Sequence, residues 1–273
     1  MGRYTIFGGS GFVGSHLVET LKLQGHDVFI PKRNDESVFR KELGTVVYCS
    51  GCGDCKNTPM DVLSANTELL AKVLKYGDFS RLVYLSSTRV YMNNQDSDEV
   101  TDVVICSDDN RRLFNITKLC SEELALKSGR DVVIVRPSNI YGVALNSPLF
   151  LPSIARNAVK TGKIDMYITP EYTKDYVSVE DVVEAIIYLS NAESAIGQIV
   201  NIASGYNTSA SKIAEALVDN TGCEVVWHDI NYPREFFPET KIEKLINLMP
   251  HYTPRDVIED MKGMISEIKR NLK

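Results

Sequence analysis

Residues Thr5 to Glu19 read Thr-Ile-Phe-Gly-Gly-Ser-Gly-Phe-Val-Gly-Ser-His-Leu-Val-Glu, and this stretch constrains the fold more than any other. A short apolar run, Tyr4 to Phe7, meets Gly8, Gly11 and Gly14, and helix-forming residues follow at once. In a strand–turn–helix, Gly8 permits the tight turn, Gly11 lets the backbone approach a diphosphate, and Gly14 packs helix against strand. The exposed N–H groups and positive dipole at the helix start then hold phosphates. Gly8, Ser10, Gly11, Phe12, Val13 and Gly14 are the residues that would line such a cradle. The competing reading is a glycine-rich turn with no ligand. The position directly after a strand at the extreme N-terminus argues against it.

Apolar runs and helical patterns then alternate, which predicts parallel strands joined by helices. The expected strands are Arg3–Phe7, Asp27–Ile30, Thr45–Cys49, Arg81–Ser86 and Asp131–Arg136, and the expected helices Phe12–Gln24, Pro59–Tyr76 and Asp109–Ser128. Only about a dozen residues separate the second strand from Thr45, whereas a complete β-α-β insertion needs ~30. Asp35–Leu43 has room for one short helix, so one strand of the usual sheet is expected to be missing. Beyond Pro137 the prolines multiply and the elements shorten. Gln198–Ile202 reads as a strand returning to the sheet, and Ser209–Asn220 as a helix.

At 273 residues the chain can bury a full core, and 44% apolar with 24% charged residues is ordinary for a globular protein. A net charge of −6 gives no electrostatic case for nucleic acid or an anionic membrane. No run reaches the length of a membrane span, and a first strand at residue 3 leaves no room for a secretion leader. Cysteines 49, 52, 55, 106, 120 and 223 form no paired framework, so a cytoplasmic location is expected. Cys52-Gly-Asp-Cys55 has the spacing of a redox motif, and Cys49 adds a third thiol without a nearby histidine. Loop cysteines with no metal are the expected reading.

The motifs that follow the glycine loop are Leu82-Val-Tyr-Leu-Ser-Ser-Thr-Arg-Val-Tyr91, Lys118 in a helix, Arg136-Pro-Ser-Asn-Ile-Tyr-Gly142, Lys174-Asp-Tyr-Val-Ser-Val-Glu-Asp181 and Asn201-Ile-Ala-Ser-Gly205. In this order and spacing the chain resembles the extended short-chain dehydrogenase/reductases, the nucleotide-sugar epimerase/dehydratase family, over nearly its whole length. The resemblance implies an α/β fold: a Rossmann-type doubly wound parallel sheet over residues 1–140. A smaller interleaved substrate lobe over 141–273 would send residues of about 175–205 back to the sheet. It also implies an enzyme using a nicotinamide cofactor. Further cofactor contacts would come from Cys49, Ser50, Asn66, Ser86, Pro137 and Ser138, with Asn66 read either as the family's structural asparagine or as a surface residue.

In that family a Ser or Thr placed like Ser87 hydrogen-bonds the reacting sugar oxygen. A lysine placed like Lys118 binds the nicotinamide ribose and lowers the pKa of a tyrosine four residues before it. Here the tyrosine's place is taken by Phe114, which has no hydroxyl. Three explanations stay open: a tyrosine replaced by phenylalanine; a proton moved by Tyr91, Cys120 or a substrate carboxylate; or binding without turnover. The acidic pair that 4,6-dehydratases carry after the Ser/Thr is Thr88-Arg89 here, which disfavours 4,6-dehydration and leaves epimerisation or carbonyl reduction.

Lys32 and Arg33 stand at the end of the second strand, where NAD-binding members carry an acid. Two cations suit a 2′-phosphate, so NADP(H) is expected over NAD(H), unless both are plain surface residues. Tyr91, Asn139, Lys174 and Arg234 are the expected substrate contacts besides Ser87, Lys174 standing where the family usually has arginine. A homodimer is expected through Pro59–Tyr76 and Asp109–Ser128. Leu63, Leu70, Val73, Leu74, Leu113 and Leu124 either form its apolar face or turn to the sheet.

Overall fold

The computed structural model describes residues 1–145, 147, 149–229 and 235–272. From the N-terminus, β1 (Arg3–Phe7) leads into α1 (Phe12–Leu23), followed by β2 (Asp27–Phe29) and β3 (Thr45–Tyr48). Next come α2 (Pro59–Leu63), a π-turn at Ser64–Glu68, α3 (Leu69–Tyr76), β4 (Arg81–Leu85), α4 (Arg112–Leu126) and β5 (Val132–Pro137). The second half runs β6 (Asn139–Tyr141), α5 (Phe150–Thr161), β7 (Lys163–Met166), β8 (Thr173–Ser178), α6 (Val179–Asn191) and β9 (Ile199–Ile202). It ends with β10 (Asn207–Ser209), α7 (Ala210–Thr221), β11 (Glu224–Trp227), α8 (Glu243–Leu248) and α9 (Val257–Asn271).

Six strands form a central parallel sheet in the order β2-β1-β3-β4-β5-β9. Its inner strands are nearly continuous apolar runs because helices cover both faces. Leu17 and Leu21 of α1 and Ile186 and Leu189 of α6 pack on one face, Leu70 and Val73 of α3 and Ala125 of α4 on the other. Each of these leucines, fully removed from water, contributes roughly 1.5–3 kcal/mol. A second core lies under α5, α7 and α9, beside two small sheets, β10-β8-β6 and β11-β7. β9 carries the chain back to β5, and α6 packs on α1, so the two halves interleave.

The short β2–β3 connection makes a single 3-10 turn at Glu36–Arg40, started by the Asp35 carboxylate accepting from Ser37 N–H. Its Val38 plugs the core, and among the described residues no strand lies outside β2. The helix expected over Pro59–Tyr76 is interrupted at Ser64–Glu68, where the π-turn buries Asn66 and Thr67. That extra residue per turn is what swings the Asn66 side chain toward the loop after β3.

The expected dimer face needs correction. Leu70, Val73 and Leu74 are core residues of one chain, Leu63 and Leu113 are half-buried, and of the six only Leu124 is exposed. No helix among the described residues is long and apolar enough to cross a membrane.

Candidate active site

The glycine turn meets the steric requirements of a diphosphate cradle. Gly8 has φ +79°, and a Cβ there would lie 2.7 Å from the Ser50 amide nitrogen. A Cβ on Gly14 would lie 2.2 Å from the Gly8 carbonyl oxygen, so only glycine lets α1 approach the turn this closely. Gly11 caps α1 with no side-chain hydrogen bond, and Ser10 and Gly11 are exposed. The first-turn N–H groups of α1 are therefore left for an anionic ligand. Phe12 is half-buried, and Val13 anchors the helix in the core. Lys32 and Arg33, just past the end of β2, are both exposed. The donor set fits a dinucleotide.

At the far ends of the neighbouring strands, several cofactor candidates present backbone rather than side chain. The Ser86 hydroxyl donates to Glu122, and the Ser138 hydroxyl donates to Asp175 at 2.5 Å. Pro137 is buried beside Ser138, and burial pushes the Cys49 thiol up to about 12. Ser50 stays half-buried against Gly8. Asn66 is no surface residue. Fully buried, its amide receives Cys52 N–H at 3.0 Å and donates to the Cys52 carbonyl at 3.1 Å and to Thr117 at 3.0 Å. It thereby ties the Gly51–Cys55 loop to α4. All six cysteines are free thiols.

Three of the expected residues meet at the end of β4. Lys118 donates from Nζ to the Leu85 carbonyl at 2.7 Å, and the next turn of chain carries Ser87, whose Oγ accepts from Arg89 N–H at 3.1 Å. That leaves the Ser87 hydroxyl proton for a ligand. The ring of Phe114, one helical turn before Lys118, lies 5.7 Å from Nζ. Burial lowers Lys118 to about 8, offset in part by the charge of Glu122.

Neither alternative proton carrier named from sequence stands at Phe114. Tyr91 is buried, with its hydroxyl accepting from Arg136 at 2.6 Å and donating to Asn201 at 3.0 Å, and burial pushes it up to about 12. Tyr91 still lines a small cavity with Asn139 and Phe237. Cys120 is exposed, off the buried face of α4 that carries Lys118.

Arg89 and Asp109, neither assigned a role in binding from sequence, organise the wall of the cleft. Asp109 receives Arg89 Nη2 at 2.8 Å, the Arg111 N–H at 2.8 Å and Asn115 Nδ2 at 2.9 Å. Arg89 also reaches Glu235 at 3.4 Å, and Tyr172 donates to the same carboxylate at 2.9 Å. Lys174 lies 5.0 Å from the Tyr172 ring and 4.8 Å from that of Phe237. Burial lowers it to about 8, partly countered by Glu235. Asn139 donates to the Asp175 carbonyl at 2.8 Å, and its side-chain oxygen remains available. Arg234 lies outside the described residues. The one signal that could have found Arg111 is its i,i+3 spacing from Phe114 at the start of α4.

The chain is similar to known proteins over most of its length. The profile of the "NAD dependent epimerase/dehydratase family" matches residues 4–203. A UDP-N-acetyl-alpha-D-glucosaminuronate decarboxylase from Bacillus cytotoxicus is 26% identical, with 78% of each chain covered. Among solved structures, MoeE5 in complex with UDP-glucuronic acid and NAD superposes with a TM-score of 0.83 at 19% identity, covering 100% of both chains. RMD from Pseudomonas aeruginosa complexed with NADPH superposes with a TM-score of 0.81 at 21% identity, covering 99% of this chain and 100% of the other. At these identities the structural likeness carries the fold alone.

Proposed function

We propose, for a chain that belongs to the NAD dependent epimerase/dehydratase family, an NADP(H)-dependent epimerase or reductase acting by hydride transfer at a carbon of a nucleotide-activated sugar. The observation that carries this reading is the convergence of Ser87, Lys118 and the Phe114 ring at the end of β4, in the same sheet as the glycine turn. The relative and the solved complex named for nucleotide sugars support the substrate class. A bound nicotinamide supplies a hydride donor or acceptor. The chain's own residues do the rest: the first turn of α1 holds the diphosphate, Lys118 the ribose, and Ser87 donates to the sugar oxygen. Asn139 and Lys174 face the nucleotide phosphates. Arg89, locked to Asp109, cannot serve the elimination chemistry of an acidic pair. A cytoplasmic location fits the six free thiols.

Phe114 favours a second reading, in which the chain binds cofactor and substrate as a sensor without turnover. A carbonyl reductase on a non-nucleotide compound is the third. NADPH oxidation, with product analysis over a panel of nucleotide sugars, separates them: conversion of any of them removes the sensor. Binding of none, beside reduction of a simple carbonyl compound, removes the nucleotide-sugar reading.

The cofactor preference rests on Lys32 and Arg33, both exposed beyond β2. Charge-assisted contacts to a 2′-phosphate give NADPH at least about a tenfold advantage over NADH, or ~1.4 kcal/mol. Fluorescence titration of both cofactors checks this, and equal affinities would sink the assignment.

A second copy of this chain is the proposed partner. The exposed apolar residues on α2 and α4 are Met60, Ile116 and Leu124, and they replace the core leucines as the contact set. Light scattering at micromolar concentration is expected to give a dimer, and lysine at both 116 and 124 a monomer. A wild-type monomer removes the assembly.

A further inference from the structure

The guanidinium of Arg111 is the unusual cation of the cleft. Its Cζ lies 4.7 Å from the centroid of the Phe114 ring, on which it stacks, while a Cβ on Gly53 would come within 2.9 Å of Nη2. The group is thus held between the loop after β3 and the ring that occupies the tyrosine's place. Among the described residues it makes no ion pair and no side-chain hydrogen bond, and its Nε is buried without a partner. The nearby carboxylates are engaged elsewhere. Asp109 takes the Arg111 backbone N–H but gives its charge to Arg89, and Glu235 is shared by Arg89 and Tyr172.

A half-buried guanidinium with no direct ion pair is costly: burial and the like charge of Arg89 disfavour its charged form, and Asp109 and Glu235 offset this only in part. Among the described residues, the cations Arg89, Arg111 and Lys174 share this region with two carboxylates, Asp109 and Glu235. An incoming anion relieves that imbalance. The site is also remote from the diphosphate cradle. Arg111 caps the start of α4 and lies against Phe114, one turn before Lys118, whereas the cradle is built at the start of α1. The anion it receives therefore sits at the reacting end of the ligand. A guanidinium fork matches a planar carboxylate better than any neutral sugar hydroxyl.

We propose that Arg111 is the receptor for a carboxylate on the substrate's sugar ring, so that the site selects sugar acids over neutral sugars. This inference deepens the nucleotide-sugar reading and rests on it. Phe114 then has a binding role of its own, as the flat platform that orients the guanidinium.

Isothermal titration of the full-length protein with UDP-glucuronic acid and UDP-glucose tests this without requiring turnover. Wild type is expected to bind the acid at least about tenfold more tightly than the neutral sugar. Arg111→Gln is expected to reduce that preference to within about twofold, and Arg111→Lys to keep part of it, since charge survives but the fork is lost. An unchanged melting temperature for both variants establishes that they fold. Equal wild-type affinity for the two sugars, or an undiminished preference in Arg111→Gln, overturns the inference while leaving the nucleotide-sugar reading in place. If neither compound binds, the inference fails, and the panel of nucleotide sugars decides the reading it rests on.

Discussion

Replacing Phe114 by tyrosine is expected to raise nicotinamide-dependent turnover by about 10²-fold or more, the contribution of a positioned general acid/base. The two side chains share a ring, so the packing against Arg111 and Lys118 survives and only a hydroxyl is added. Arg111 Cζ at 4.7 Å and Lys118 Nζ at 5.7 Å from the ring centre both favour the phenolate, which lowers the phenol's pKa toward neutrality. The pH dependence has a definite sign. Lys118, at about 8, is charged at neutral pH and loses its charge as pH rises through that value. The gain is therefore largest below about pH 8 and shrinks above it. The measurement is NADPH oxidation or epimer formation for both variants, across pH and a panel of nucleotide sugars. Full activity of the phenylalanine form with no gain from tyrosine would show that the proton travels by another route.

The largest stability effect is expected beneath the cleft. Glu122 and Arg136 are both buried, with the guanidinium bound to the carboxylate at 3.0 Å from Nε and 2.5 Å from Nη2. The hydroxyl of Ser86 donates to the same carboxylate, and Arg136 also holds Tyr91. Glu122 holds the Arg136 guanidinium well above its usual range, against the opposing effect of burial. Glu122→Ala leaves that guanidinium buried without its partner, and the expected loss is about 3–5 kcal/mol. Denaturant unfolding reads it directly. The double change Glu122→Leu with Arg136→Met removes both charges and is expected to recover most of the loss. A single-variant loss below about 1 kcal/mol would mean that water reaches Arg136 and the pair is worth no more than a surface bridge.

The parts of this protein legible in its sequence are those governed by neighbours along the chain. Strand and helix ends fall within a few residues of their expected places because apolar periodicity and turn chemistry are local properties. The spacing of Gly8, Gly11 and Gly14 specified the turn on which α1 begins, and the short connection before Thr45 ruled out one strand by length alone. The four-residue step from Phe114 to Lys118 is enough to put both on one face of α4. What only the tertiary structure decided involves partners far apart in sequence. Arg89 meets Glu235 across 146 residues, and Tyr91 loses its hydroxyl to Arg136 and Asn201 across 45 and 110. The π-turn that buries Asn66 is stabilised by Cys52 and Thr117, and its own residues carry no pattern that announces it. Leu70, Val73 and Leu74 show the same limit: an apolar helix face reads alike whether a sheet or a second subunit covers it. Burial and charge pairing are settled by what folds against a residue, and that is why Arg111 emerges as a cation without an ion pair among the described residues only in three dimensions.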